Sequence, residues 1–153
     1  MNYLIVLTDF SSQIVQEFNG LTPEQIAYGF GVTDSSLYAE FDSADFDAAC
    51  YNFPDAFTLV AGVVGFDLVK AKQLAEVTVN SQSNEASKKT LEGLSYDVYI
   101  AQSSLPVEQR IVKYQAAIDA NNAIALETEQ REQAVYAATT IEEVNAIVYP
   151  VAS

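Results

Sequence analysis

Between residues 57 and 77 the chain reads FTLVAGVVGFDLVKAKQLAEV, and its hydrophobic period changes inside that stretch. FTLV and VVGF are short β-branched and aromatic runs on either side of Ala61-Gly62, the pattern of a hairpin. From Asp67 onward Leu68, Ala71, Leu74, Ala75 and Thr78 fall at helical spacing, with Asp67 in a first turn where the helix dipole favours an anion. A period of two and a period of 3.6 cannot belong to one element, so the change marks a junction. The expected class is α+β: a small acidic, β-containing head over residues 1–66, followed by a mainly helical stem or assembly domain over residues 67–153.

Charge divides at nearly the same point. Residues 1–67 hold ten acids and no Lys or Arg, whereas residues 68–153 hold eleven acids and seven bases, which together make the net charge of −14. The head therefore has no Lys or Arg with which to form a salt bridge of its own. Its carboxylates must be solvated, used as caps, or paired with another surface. The overall balance argues against nucleic acid as a direct ligand, because phosphate binding needs a basic face, and it disfavours anionic membranes for the same reason. The N-terminus MNYLIVLTDF lacks a basic n-region, its apolar run is short, and no window reaches about 18 apolar residues; a soluble chain of cytosolic origin, without membrane insertion, is expected.

Within the head, YLIVLT (3–8) and SQIVQEF (12–18) read as a hairpin. LTPEQIAYGFG predicts a short helix, with Thr22 capping, Pro23 in the first position, Gln25 closing a capping box and Gly29 or Gly31 ending it. SSLYAEF (35–41) alternates as a half-buried strand, and Ser43 is placed to cap a short helix, ADFDAACYN, that Pro54 stops. The core expected for the head is Leu4, Val6, Ile14, Phe18, Ile26, Leu37, Phe57, Leu59 and Phe66.

In the second region the first helix runs into NSQSNEASKKTLEG, which either extends it or frays, with Gly93 as a stop. Residues 94–101 read as a strand or a packed connection. Ser104 and Pro106 open a longer helix with its break at Asn121-Asn122, and Thr140 with Glu143 forms a capping box for a last helix ended by Tyr149-Pro150. Leu68, Leu74, Ile111, Ile118, Val135 and Ile147 are its expected core. Neither a long internal repeat nor a sustained heptad is present.

The chain has no histidine and one cysteine. Ser-His-Asp and Cys-His catalysis and the common zinc and iron-sulfur ligand sets are thereby excluded. Cys50 has no internal disulfide partner and reads as a small buried apolar side chain. Asp42, Asp45 and Asp47 lie close together, but their spacing departs from a calcium loop and coincides with a helix start, where Asp caps. The aromatic residues, nine Tyr and eight Phe without Trp, fall at core spacing, which does not single out a sugar site. Gly29-Phe30-Gly31 follows a helix and lacks the phosphate-loop pattern, while Lys70, Lys72, Lys88 and Lys89 read as a solvated helix face or as partners of the acidic head. No catalytic, cofactor-binding or metal-binding residue is expected.

The junction FTLVAGVVGFDLVKAKQLAEV, with its hairpin, Asp67-Leu68 and Lys-Ala-Lys helix, resembles that of small tailed-phage tail-fibre and fibre-accessory proteins. ALETEQREQAVYAATTIEEVNAIVYP (125–150) resembles their closing segment, and Gly93 and Tyr96 fall where that group has a Gly-x-x-Tyr β-hairpin. The resemblance implies a non-enzymatic virion structural or assembly protein, made in the host cytoplasm and working in the tail or its fibres. It implies other virion proteins as partners and a homo-oligomeric state. A capsid decoration protein is a close variant. An acidic inhibitor that mimics nucleic acid is the alternative from another class, and a carboxylate enzyme ranks third.

Overall fold

The computed structural model describes the backbone of residues 2–9, 11–16, 18–42, 46, 48–104 and 106–150; the side chains of 2, 48, 91–104, 107, 109–111, 113 and 114 fall outside that description. The architecture is α+β. Five strands, β1 (Asn2–Leu7), β2 (Ser12–Val15), β3 (Tyr38–Asp42), β4 (Phe57–Val60) and β5 (Val63–Phe66), form two small antiparallel sheets. Helix α1 (Pro23–Gly29) lies between β2 and β3, and α2 (Leu68–Ser104), α3 (Val107–Ala137) and α4 (Ile141–Val148) follow the strands. The chain forms two compact units, Met1–Ala75 with Ala138–Ser153, and Glu76–Ala137.

In the first unit β1 is the middle strand of the order β2-β1-β3, and Leu4, Ile5 and Val6 are fully buried. A strand whose successive side chains point to opposite faces is buried throughout only when both faces are covered. One face carries Leu4 and Val6 against Ile26, Ala27 and Val32, with Val15, Phe18 and Tyr38 packed around them. On the other, Tyr3 stacks on Phe41 at 5.6 Å and on Tyr51 at 4.9 Å between ring centroids. Phe57 lies within 5.3–6.2 Å of Phe41, Phe46, Tyr51 and Phe66, so one ring from β4 ties the smaller sheet to the larger. Offset and edge-on ring pairs of this kind add about 0.5–1.5 kcal/mol each beyond the area they bury.

The local signals in this unit act as their chemistry requires. Thr22 accepts from the Gln25 amide while the Gln25 side chain accepts from the Thr22 amide, a complete capping box, and Pro23 opens the helix. Ala61 and Gly62 both have positive φ, 51° and 78°, as a two-residue turn between twisted strands demands. Asp67 accepts from the amides of Val69 and Lys70 at 2.9 and 3.1 Å and so caps α2. Thr140 and Glu143 form the second capping box, and α4 buries Ile141, Val144 and Val148. That helix packs on the 3-10 turn Ala48–Asn52, where Asn52 donates to Asn145 and Phe53 meets Tyr149 at 6.4 Å.

The second unit is an antiparallel pair formed by α2 and α3. Asn80 bonds Glu132 at 2.6 Å, Arg131 bonds Gln82 at 2.6 Å, and the Ser83 and Thr128 hydroxyls share a bond of 2.7 Å. In each pair the two residue numbers sum to nearly the same value, as opposed helix directions require. Val79 and Val135 are buried in this unit.

Several expectations are corrected. Residues 35–37 form a 3-10 turn capped by Asp34, and the strand starts only at Tyr38; Leu37 is exposed, and Tyr38 takes its place against the core. Pro54 opens a further 3-10 turn, Pro54–Ala56, and the helix expected before it is the 3-10 turn Ala48–Asn52; Ser43, Asp45 and Asp47 lie outside the described residues. Gly93 does not stop α2, whose backbone runs helically through residues 94–101 with neither a strand nor a Gly-x-x-Tyr hairpin, and α3 passes through Asn121-Asn122 unbroken. Ile118 is exposed, and the Ile111 side chain lies outside the described residues. Leu4, Val6, Ile26, Phe57 and Val135 are buried as expected, while Ile14, Phe18, Leu59, Phe66, Leu68, Leu74 and Ile147 are half-buried.

A Cβ added at Gly65 would stand 2.8 Å from Oγ1 of Thr58, its partner across the β4–β5 ladder. Gly65→Ala is expected to lower stability by about 1 kcal/mol, at the mild end for overpacking because Thr58 is exposed and can turn aside. In a Thr58→Ala background the same change is expected to be neutral or stabilising. Urea midpoints of the four proteins measure the coupling, and an equal effect of Gly65→Ala in both backgrounds contradicts this contact.

Candidate functional site

The acids of the lysine-free head are put to work on main-chain donors. Asp34 accepts from the amide and hydroxyl of Ser36 at 2.9 and 2.8 Å, and these bonds hold its carboxyl below the usual range. Asp55 Oδ1 accepts from the Ser12 amide at 3.0 Å. Ser12 begins β2, an outer strand of its sheet, so a carboxylate covers one of the strand's outward donors.

Beside that contact lies a groove of about 600 Å3, wholly within the first unit. Its walls are the end of β1 and the turn after it (Leu7, Thr8, Asp9, Ser11 and Ser12), the β4 segment from Phe57 to Leu59, and Asp55, Lys70 and Leu74. The volume is that of a small-ligand site, about 300–1,000 Å3. Leu7, Phe57, Leu59 and Leu74 supply apolar lining, and Asp9, Asp55 and Lys70 the charges. Three consecutive strand residues line one groove only when it runs along the strand's edge, because side chains alone would alternate. Asp9, Leu59 and the Lys70 ammonium make no hydrogen bond or ion pair with other described side chains.

A second hollow, of about 250 Å3, shares Leu7, Thr8 and Asp9 and is completed by residues 30–34 and Leu37. A third, of about 500 Å3, follows α2 in the second unit past Val77, Asn80, Asn84 and Lys88.

Of the residues singled out in the sequence, Asp45 and Asp47 lie outside the described residues. Asp42 ends β3 and is exposed. Among the described residues no group of three or more His, Cys, Asp or Glu is placed to hold a metal ion. Cys50 is buried at 3 % exposure. Lys70 and Lys72 belong to the first unit, Lys88 and Lys89 to the second. Burial, and after it the neighbouring Tyr3 phenol, push the Tyr51 hydroxyl up, so it stays protonated at neutral pH and is no base. Asp9 and Asp55 escaped sequence reasoning because one stood in a turn and the other followed a helix-stopping proline. A Pro-Asp pair that opens a 3-10 turn was the signal available for Asp55.

No family model, characterised protein or solved structure matches the chain. Among the described residues no helix is long and apolar enough to cross a membrane.

The chemistry of the capping carboxylates gives a pH dependence. Glu143 accepts from the Thr139 amide at 2.6 Å, the Thr139 hydroxyl at 3.1 Å and the Thr140 amide at 3.3 Å; these bonds, and then Lys72, hold its pKa below the ordinary 4.5. A depressed folded pKa contributes stability that is complete above the unfolded value and is lost as pH falls through the folded one. In thermal melts from neutral to acidic pH, the gap between the unmodified chain and Glu143→Gln is expected to hold steady above 4.5 and to close below it. Parallel curves throughout would contradict the role given to this carboxylate.

Proposed function

We propose that the chain is a non-enzymatic structural protein that works through protein–protein contacts, and that its place is the tail or tail fibre of a bacteriophage particle. The tail assignment rests on the segment order from the β4–β5 hairpin to the Thr140-capped helix, which resembles the fibre-accessory proteins. The contact-forming role rests on one observation, the outward face of α3.

Val112, Ile118, Leu126 and Tyr136 are all exposed, at 69, 49, 57 and 87 %. At about 100° per residue these four positions fall within an arc of about 120°. Arg131, Thr128 and Val135, which face α2 or are buried, lie on the opposite arc. Beside the buried Val79 and Val135, both long helices carry exposed apolar residues, Val77 on α2 and these four on α3, and the hydrogen bonds that join the described side chains of the two helices are between polar groups. Helices in globular domains draw most of their stability from packing an apolar face. Here apolar side chains lie on the face away from the partner helix, and a second copy of the chain would cover them in a symmetric assembly. Other virion proteins are the further partners under this reading.

Nucleic-acid mimicry is the weaker reading, because mimicry needs carboxylates aligned and available, and Asp34, Asp55, Asp67 and Glu143 are engaged with amides. Light-scattering mass of the full chain is expected to give a defined oligomer at both low and high salt, reduced to monomer by the pair Ile118→Lys and Leu126→Lys. A strict monomer under all conditions removes the assembly reading. For the tail assignment, mass spectrometry of purified particles is expected to find the chain, and its absence from them removes that assignment.

A further inference from the structure

We propose that the groove in the first unit binds an extended peptide segment carrying a Lys or Arg side chain, laid along the open edge of β4. This goes beyond the assembly reading and does not rest on it, since a chain that never self-associates can still carry the groove.

The argument begins with the ladder. The two-residue turn Ala61-Gly62 makes Val60 and Val63 its closing hydrogen-bonded pair, and the register then places Leu59 opposite Val64 in a non-hydrogen-bonded pair. The amide and carbonyl of Leu59 therefore point away from β5. Among the described residues the sheet has two strands and no third strand takes them, nor does any other described group bond them. An outward donor and acceptor on one residue are what an added strand pairs with.

The contrast with β2 sharpens the point. There the outward amide of Ser12 is covered by Asp55, whereas the comparable edge of β4 opens into the groove. Apolar lining from Leu7, Leu59 and Leu74 offers alternate side chains of a bound strand a place to rest, and the carboxylates of Asp9 and Asp55 select what lies between. Only one Asp55 oxygen is used by Ser12, and Asp9 has no bonded partner among the described residues. Two carboxylates against the single ammonium of Lys70 favour a cationic side chain, and residues 1–67 contain no Lys or Arg that would take the place.

The probe is a fluorescein-labelled pentapeptide alternating valine with arginine, titrated with the full chain by fluorescence polarisation. Three controls accompany it: glutamate in place of arginine, the same sequence N-methylated along its backbone, and the Asp9→Asn protein. Asp9 is exposed and uninvolved in the core, so this variant is expected to keep its melting temperature. Saturable binding is expected for the arginine peptide, undetectable binding for the N-methylated and glutamate peptides, and a three- to tenfold loss with Asp9→Asn. No saturation by the arginine peptide overturns the proposal. So does equal binding of the glutamate peptide, indifference to N-methylation, or an unchanged affinity in Asp9→Asn. Measuring the mass of the same samples by light scattering separates this outcome from that of the assembly reading.

Discussion

Burial of β1 on both faces is the constraint on which the rest of the first unit depends. Leu4, Ile5 and Val6 are consecutive and fully covered, so a layer must lie on each side of the strand. Helix α1 with Val32 supplies one and the rings around Phe57 supply the other. Burying each of these three side chains contributes roughly 1.5–3 kcal/mol. The aromatic layer explains why a sheet of only two strands persists: β4–β5 would be marginal by itself, and Phe57 anchors it to the larger sheet.

A stretch without cations must handle its acids differently from an ordinary domain. Asp34, Asp55 and Asp67 accept main-chain N–H groups at the start of turns and helices and at a sheet edge, where donors would otherwise go unpaired. Negative charge thus organises local structure while the core stays uncharged. The same economy leaves Asp9 without a local donor, at the lip of a groove, beside the strand edge that no carboxylate covers.

The second unit follows another rule. Its two long helices are joined by amide, hydroxyl and guanidinium bonds, among them Asn80 to Glu132 and Arg131 to Gln82, which fix direction and register. The Asn121 side-chain oxygen is buried without a partner among the described residues, which adds to the polar character of the pair. Such helices have apolar residues to spare on their outer surface, and contacts between chains are the use we assign to them.

Local chemistry was legible in the sequence wherever the physics is local. The capping boxes of Thr22 and Thr140, the turn at Ala61-Gly62, the switch from strand to helix at Asp67 and the α+β class all follow from neighbours a few residues apart. The polar run after Val79 was open between helix and fraying, and it is helical, with Asn80 and Ser83 bonded to α3 despite the weak helix preference of Asn and Ser; Gly93 read as a stop, yet α2 continues through it. Leu37 and Tyr38 exchanged roles because Asp34 nucleates a turn that shifts the start of the strand. The groove was invisible in the chain, because Asp9 is far in sequence from Asp55, Leu59 and Lys70, and nothing local joins it to them. What the sequence by itself determined was the α+β class and those element ends that a cap or a tight turn marks, at Thr22, Ala61-Gly62, Asp67 and Thr140. Tertiary structure alone decided which strand is central, that α4 returns to the first unit, and which edge stays open, because those depend on which distant side chains exclude water together.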